Sequence, residues 1–161
     1  MVSYLNELLL RVVATQKEAM LTGFALTVDA WPQFYKASET FPYFTNRIAD
    51  LPITDDGSQD EDVNTPLVIM RLVVAHITSG YHGEPETKLY EWMPVIKTVF
   101  NSRMWLTSEA YPERMNDLQS VRVINNGRWT QEQNEGINAV QVGVEIALQC
   151  IFIEDIEQDE Y

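Results

Sequence analysis

The chain has 161 residues, 45% of them hydrophobic, which is enough to bury a core and sets it apart from disordered tails. Its formal charge of −13 reflects 24 acidic against 11 basic residues, and the basic ones stand singly from Arg11 to Arg128, which argues against a specific nucleic-acid ligand. There is no apolar run of about 18 residues, and Met1 to Leu10 lacks a basic stretch, so neither a membrane span nor a signal peptide is expected and synthesis in a cytoplasm is.

Ser3 is placed to cap a helix through its hydroxyl, and Leu5, Leu8, Leu9, Val12 and Val13 follow at helical spacing. An amphipathic helix therefore opens the chain, ending between Thr15 and Gly23, with Glu7 and Arg11 paired on its outer side. Phe24, Leu26 and Val28 alternate with Ala25, Thr27 and Asp29 as a short strand that stops at Trp31 and Pro32. Residues 33–52 carry many aromatics and prolines without a period, which predicts a loop interrupted by a strand at Tyr43 to Ile48.

The charge is concentrated in two places. Asp55, Asp56, Asp60, Glu61 and Asp62 lie within Thr54 to Asp62, and Glu154, Asp155, Glu157, Asp159 and Glu160 within Ile153 to Tyr161, with no Lys or Arg in either segment. The remaining 14 acids face 11 bases, so the body is nearly neutral. The first segment reads as a solvated acidic loop, and residues 154–161 as an acidic tail beyond a single domain spanning 1–153.

Pro66 to Thr78 is apolar on both sides and rich in β-branched residues, the pattern of a central strand covered on both faces. Ser79, Gly80, His82 and Gly83 break it. A second helix follows over about 85–102, with Pro85 in the first turn, Glu84 and Glu86 at its positive end and Lys97 and Arg103 at its negative end. Leu89, Met93, Ile96 and Phe100 form its buried stripe, and Pro94, which deletes the bond to the Tyr90 carbonyl, predicts a kink or a split. From Met104 to Ser120 the pattern is weak. Val121, Val123 and Trp129 read as strand about a tight hairpin turn at Asn126 and Gly127, or the hairpin has one long loop from Asn125 to Gly136; either way Val121 to Ile124 is expected to pair antiparallel with the last strand.

The closing strand carries the clearest signal. Val140, Val142, Val144, Ile146, Leu148, Cys150 and Phe152 occupy every second position, with Gln141, Gly143, Glu145, Ala147 and Gln149 between them. At roughly 3.3 Å per residue, Val140 to Phe152 extends about 40 Å. A compact chain of this length has a radius of gyration near 15 Å, on the order of the scaling for single domains. Such a strand is expected to exceed what its own globule can satisfy and to seek sister copies, with Gln141, Glu145 and Gln149 as the subunit interface.

Chemical constellations are sparse. His76 and His82, even with Glu84 and Glu86, do not match metal-ligand spacing. Gly80 and Gly83 build no phosphate loop, and Ser79 lacks the surroundings of a nucleophile elbow. The acidic segments are too polar to raise a carboxyl pKa for acid catalysis. Cys150 and the four tryptophans, Trp31, Trp92, Trp105 and Trp129, read as packing residues. No catalytic set, metal or cofactor is expected, and the chain reads as a structural protein rather than an enzyme.

The order of elements, an opening helix, a loop-rich stretch, a central strand, a helix and a terminal hairpin with a long strand, resembles the tail terminator proteins of long-tailed bacteriophages, the lambda-like kind in particular. "LYEWMPVI", Leu89 to Ile96, looks like that family's helix after the central strand, and "VQVGVEIALQCIFIE", Val140 to Glu154, like its closing strand. The resemblance implies an α+β subunit with a mixed, largely antiparallel sheet that forms a hexameric ring at the head-proximal end of the tail tube. There it would end tail polymerisation and offer a head–tail joining surface. Its partners would be copies of itself, the major tail tube protein and the head–tail connector or stopper protein, without specific nucleic-acid or membrane binding. Its place would be the tail or neck of the virion after synthesis in the bacterial host. The two acidic segments look like additions to that pattern, and acids lining a lumen would repel passing DNA within about 8 Å at physiological salt. The competing readings are another neck or connector protein and an acidic DNA mimic that inhibits a host nuclease.

Overall fold

The computed structural model describes residues 4–32, 41–49, 53–54, 61–77, 83–124, 128–133 and 140–155. In chain order these form α1 (Tyr4–Phe24), β1 (Asp29–Trp31), β2 (Tyr43–Ile48), β3 (Ile53–Thr54), β4 (Glu61–Asn64), β5 (Leu67–Ile77), α2 (Gly83–Ser102), β6 (Leu118–Val123), β7 (Arg128–Gln133) and β8 (Val140–Asp155). The fold is α+β. All eight strands belong to one sheet, in which β1 runs parallel to β2 and every other pairing is antiparallel.

β8 is the axis of that sheet. On one side Leu67 faces Gln149 and Asn64 faces Phe152, a single register, so β5 and β4 act as one edge interrupted at Thr65 and Pro66. The Cys150 N–H donates to the Pro66 carbonyl at 3.1 Å and closes that interruption. On the other side β7 pairs with Val140 to Glu145 and β6 with Leu148 to Phe152. Bonds from Ile124 N–H to the Ala147 carbonyl and from Ile153 N–H to the Asp117 carbonyl, 3.1 and 3.0 Å, bridge what lies between and beyond. β6 and β7 thus lie end to end along β8 instead of pairing with each other. Both alternatives for this connection are therefore corrected: β6 and β7 form no hairpin with each other around Asn126 and Gly127, and β7 occupies the middle of the long loop expected from Asn125 to Gly136; residues 125–127 and 134–139 themselves lie outside the described residues.

Both helices cover one face. Val68, Met70, Leu72 and Val74 of β5 and Val142, Val144, Ile146, Leu148, Cys150 and Phe152 of β8 share a buried cluster with Leu8, Leu9, Val12 and Met20 of α1 and Leu89, Trp92, Ile96 and Phe100 of α2. The alternation read along β8 is the alternation of this core face. Gln16 and Asn46 exchange side-chain hydrogen bonds of 2.7 and 2.8 Å across the α1–β2 contact, and Asn46 also donates to the Trp31 carbonyl at 2.9 Å. A buried polar pair satisfied in this way sets the register of helix on sheet as well as its stability.

α1 is longer than its apolar spacing predicts and does not end at Gly23. The Leu26 N–H reaches the Met20 carbonyl at 3.3 Å while Ala25 adopts a φ of 51°, the left-handed helix cap usually filled by glycine. Gly23 serves contact instead, since a Cβ there would lie 2.9 Å from Val95 Cγ1 of α2. The strand expected from Phe24 begins five residues later, as β1 (Asp29–Trp31), and its expected stop at Trp31 and Pro32 is where β1 ends. The strand expected at Tyr43 to Ile48 is β2. α2 runs through Pro94 unbroken, so the expected split does not occur.

β5 matches the expected central strand over Leu67 to Ile77. On the face away from the helices Arg71 and Val73 are buried, as are Tyr43 and Thr45 of β2, whereas Leu67 and Ile69 are only partly so. The rings of Trp31 and Phe41 cover Tyr43, with centroids 5.8 and 5.7 Å away. A bulge at Val74 shifts the register, and beside it Gly143 lets the backbones of β5 and β8 close up, because an added Cβ would lie 2.2 Å from the Leu72 carbonyl oxygen.

Candidate interaction surface

Gln141, Glu145 and Gln149 do share one face of β8, the face away from the helices, but they sit in mid-sheet. Their neighbours in register are His76 and Glu132 for Gln141, Arg71 and Arg128 for Glu145, and Leu67 and Arg122 for Gln149. Arg122 Nε donates to Gln149 Oε1 at 3.2 Å. The expectation that the length of β8 leaves it unsatisfied within one molecule is thus corrected. One edge is taken by β5 and β4 from Val140 to Asp155, and the other by β7 and β6 from Val140 to about Ile153. A second copy can reach these three residues only across the face, not by adding a strand to β8.

The acidic segments are arranged differently from the loop and tail expected. Asp55, Asp56 and Asp60 lie outside the described residues, as does the chain beyond Asp155. Glu61 and Asp62 belong to β4, and Glu154 and Asp155 to β8, in register as Glu61 opposite Asp155 and Asp62 opposite Glu154. Two acidic stretches some ninety positions apart in the chain therefore meet at one end of the sheet. Like charges directly opposite each other on neighbouring strands oppose pairing.

A second surface lies where α1 meets residues 103–115. Arg11, expected on the outer side of the helix, is 5% exposed. It pairs with Glu7 as the four-residue spacing suggests, at 3.3 Å, but also donates through Nη1 to the carbonyls of Glu113 at 2.6 Å and Leu106 at 3.3 Å, and it lies 5.1 Å from the Tyr111 ring centroid. Glu18 holds the same segment by pairing with Arg103 at 2.8 Å and accepting the Glu109 N–H at 3.1 Å. Between helix and segment opens a groove of about 490 Å³ lined by Val13, Ala14, Lys17, Leu21, Ser108 and Ala110. Leu10, Leu21, Met104 and Trp105 are each more than 40% exposed, and Arg114 stacks 5.0 Å over the Trp105 ring. Exposed Trp and Arg are the residue types that anchor protein–protein contacts.

Titratable groups add little chemistry here. Burial pushes the Cys150 thiol up to about 12, so it stays neutral and packs with the core. A folded-state value raised above the ordinary 9.0 gives stability that is complete below pH 9 and is lost as pH climbs toward 12. Burial likewise raises Tyr43, with Arg71 pulling the other way. Tyr90, exposed on α2, is raised by donating to Glu86 Oε1 at 2.7 Å. Among the described residues no three His, Cys, Asp or Glu side chains gather as a metal site, and no helix is long and apolar enough to cross a membrane. No protein-family model matches the chain, and no curated protein matches it.

Proposed function

We propose that this chain is a virion structural protein that assembles with copies of itself at the head-proximal end of a phage tail tube, ends its polymerisation and presents the surface to which the head joins. Helix, central strand, second helix and long closing strand stand in the order on which the resemblance rests. The observation that carries the reading is the surface formed by α1 and residues 103–115, where Arg11 and Glu18 hold in shape a groove lined in part by Leu21, and Leu10, Met104 and Trp105 are exposed on the same two segments. A closed ring needs each subunit to offer two different patches, and this face and the opposite face of the sheet around Glu145 are two such patches. Electron microscopy of particles assembled without the chain tests the proposal. Tails of uneven length without attached heads are expected, and particles of normal appearance would contradict it.

One observation favours a second reading, that of a DNA mimic. The register of β4 on β8 sets Glu61 opposite Asp155 and Asp62 opposite Glu154 at one end of the sheet, with alternate strand positions roughly 6.6 Å apart. Mimicry predicts that the purified chain competes with duplex DNA for a nuclease at near-stoichiometric ratio, and undiminished cleavage would remove this reading.

A further inference from the structure

We infer that β7 is a self-complementary edge through which two copies of the chain pair as antiparallel strands. Of the strands at the margins of the sheet, β1 has three residues and β3 has two. The outer edge of β6 is met by α2, where Asn101 Oδ1 accepts the Val123 N–H at 2.9 Å. β7 has six residues, Arg128 to Gln133, and bonds to β8 along one side. Among the described residues no backbone group bonds its other side. The strand contains no proline and, among the described residues, no bulge, two of the devices that blunt an edge, and its charged residues are of both signs, so a strand of this length is a template for another.

The occupant is a second copy because the residues of β7 complement themselves. In an antiparallel pair, residues opposite each other lie on the same face of the sheet. Centred on Thr130, the pairing sets Arg128 opposite the partner's Glu132, Glu132 opposite the partner's Arg128, and Thr130 opposite Thr130 on a two-fold axis. Opposite charges and paired threonines are favourable cross-strand combinations, and a two-fold contact is the commonest protein association. The charge order across the sheet points the same way. In register, Arg71 of β5 faces Glu145 of β8, which faces Arg128 of β7, and the partner's Glu132 continues that alternation of sign. Because a six-residue strand pair covers less than the roughly 1,200 Å² of a standard interface, the association is weak and concentration-dependent. A two-fold contact does not close a ring, so the inference concerns the free chain and stands apart from the phage reading.

Light scattering coupled to size exclusion, on the full chain at physiological salt and micromolar to higher concentrations, tests it. Wild type is expected to approach twice its 18.5 kDa mass as concentration rises. Arg128→Glu and Glu132→Arg each turn two attractive pairs into repulsive ones, so each alone should associate on the order of tenfold to a hundredfold more weakly. Mixed together, the two variants restore both attractive pairs and should dimerise again, which a folding defect in either could not produce. A monomeric wild type, a mass that neither variant changes, or a mixture that stays monomeric would overturn the inference.

Discussion

β8 and β7 are neighbours in one sheet with opposite relations to the solvent. β8 has 16 residues, about 50 Å of extended chain, and is bonded on both sides. β7 has six residues and, among the described residues, is bonded on one. Length did not make the long strand available for assembly, because β4, β5, β6 and β7 together are as long as β8 needs. What offers a strand to a partner is an edge, and the edge lies on the short strand whose residues are less apolar.

The largest effect that separates the two should come from Gly143→Ala. The new Cβ would meet the Leu72 carbonyl oxygen in mid-sheet, where the β5–β8 ladder fixes both backbones. A loss of about 3 kcal/mol or more in urea unfolding is expected, against less than about 0.5 kcal/mol for Thr130→Ala on β7. Equal tolerance at both positions would break the distinction between a saturated and an open strand.

Next comes Arg11→Met, which probes how the exposed face beside α1 is held. It leaves the Glu113 and Leu106 carbonyls without their donor and should cost about 2 kcal/mol. The loss should appear with faster proteolysis within residues 103–115, and cleavage at the wild-type rate would show that Arg11 does not anchor that segment.

These contrasts also show what was legible in the sequence. Alternation along Val142 to Phe152 names the core face correctly, because pleat alone decides which residues point together. It is silent about edges, since pairing depends on chain elsewhere. Asn126 and Gly127 favour a hairpin by local chemistry, yet β6 and β7 pair with β8 in succession, an arrangement set by the 16-residue length of β8 and not by the turn. Arg11 has the four-residue spacing to Glu7 of a surface pair, while its shortest bond goes to a carbonyl 102 positions distant. Residues 103–117 show no period because their order comes from Arg11 and Glu18 and from left-handed backbone at Leu106 and Asp117. Of the candidate interface, the shared face of Gln141, Glu145 and Gln149 was readable; that strands flank it on both sides was not.

Smaller effects sharpen the same comparison. Thr45 Oγ1 is buried in the sheet with no hydrogen-bond partner among the described residues, so Thr45→Val should raise stability by about 1 kcal/mol, as it removes an unsatisfied hydroxyl at nearly constant shape. A measured loss would mean that this hydroxyl is satisfied. At the acidic end, Asp155→Lys places opposite charges across from Glu61 and should add about 0.5 kcal/mol at low salt, shrinking as salt is raised. A gain that salt does not touch would contradict an electrostatic origin.

Amide hydrogen exchange resolved residue by residue, first on a dilute monomeric sample and then on a concentrated one, bears most directly on the central claim. If the long strand is saturated within one molecule and the short one is open, amides of Val142 to Phe152 are protected at every concentration, whereas amides on the free side of Arg128 to Gln133 exchange fast when dilute and slow down when concentrated. Fast exchange along Val142 to Phe152 in the dilute sample, with protection gained only on association, would contradict it.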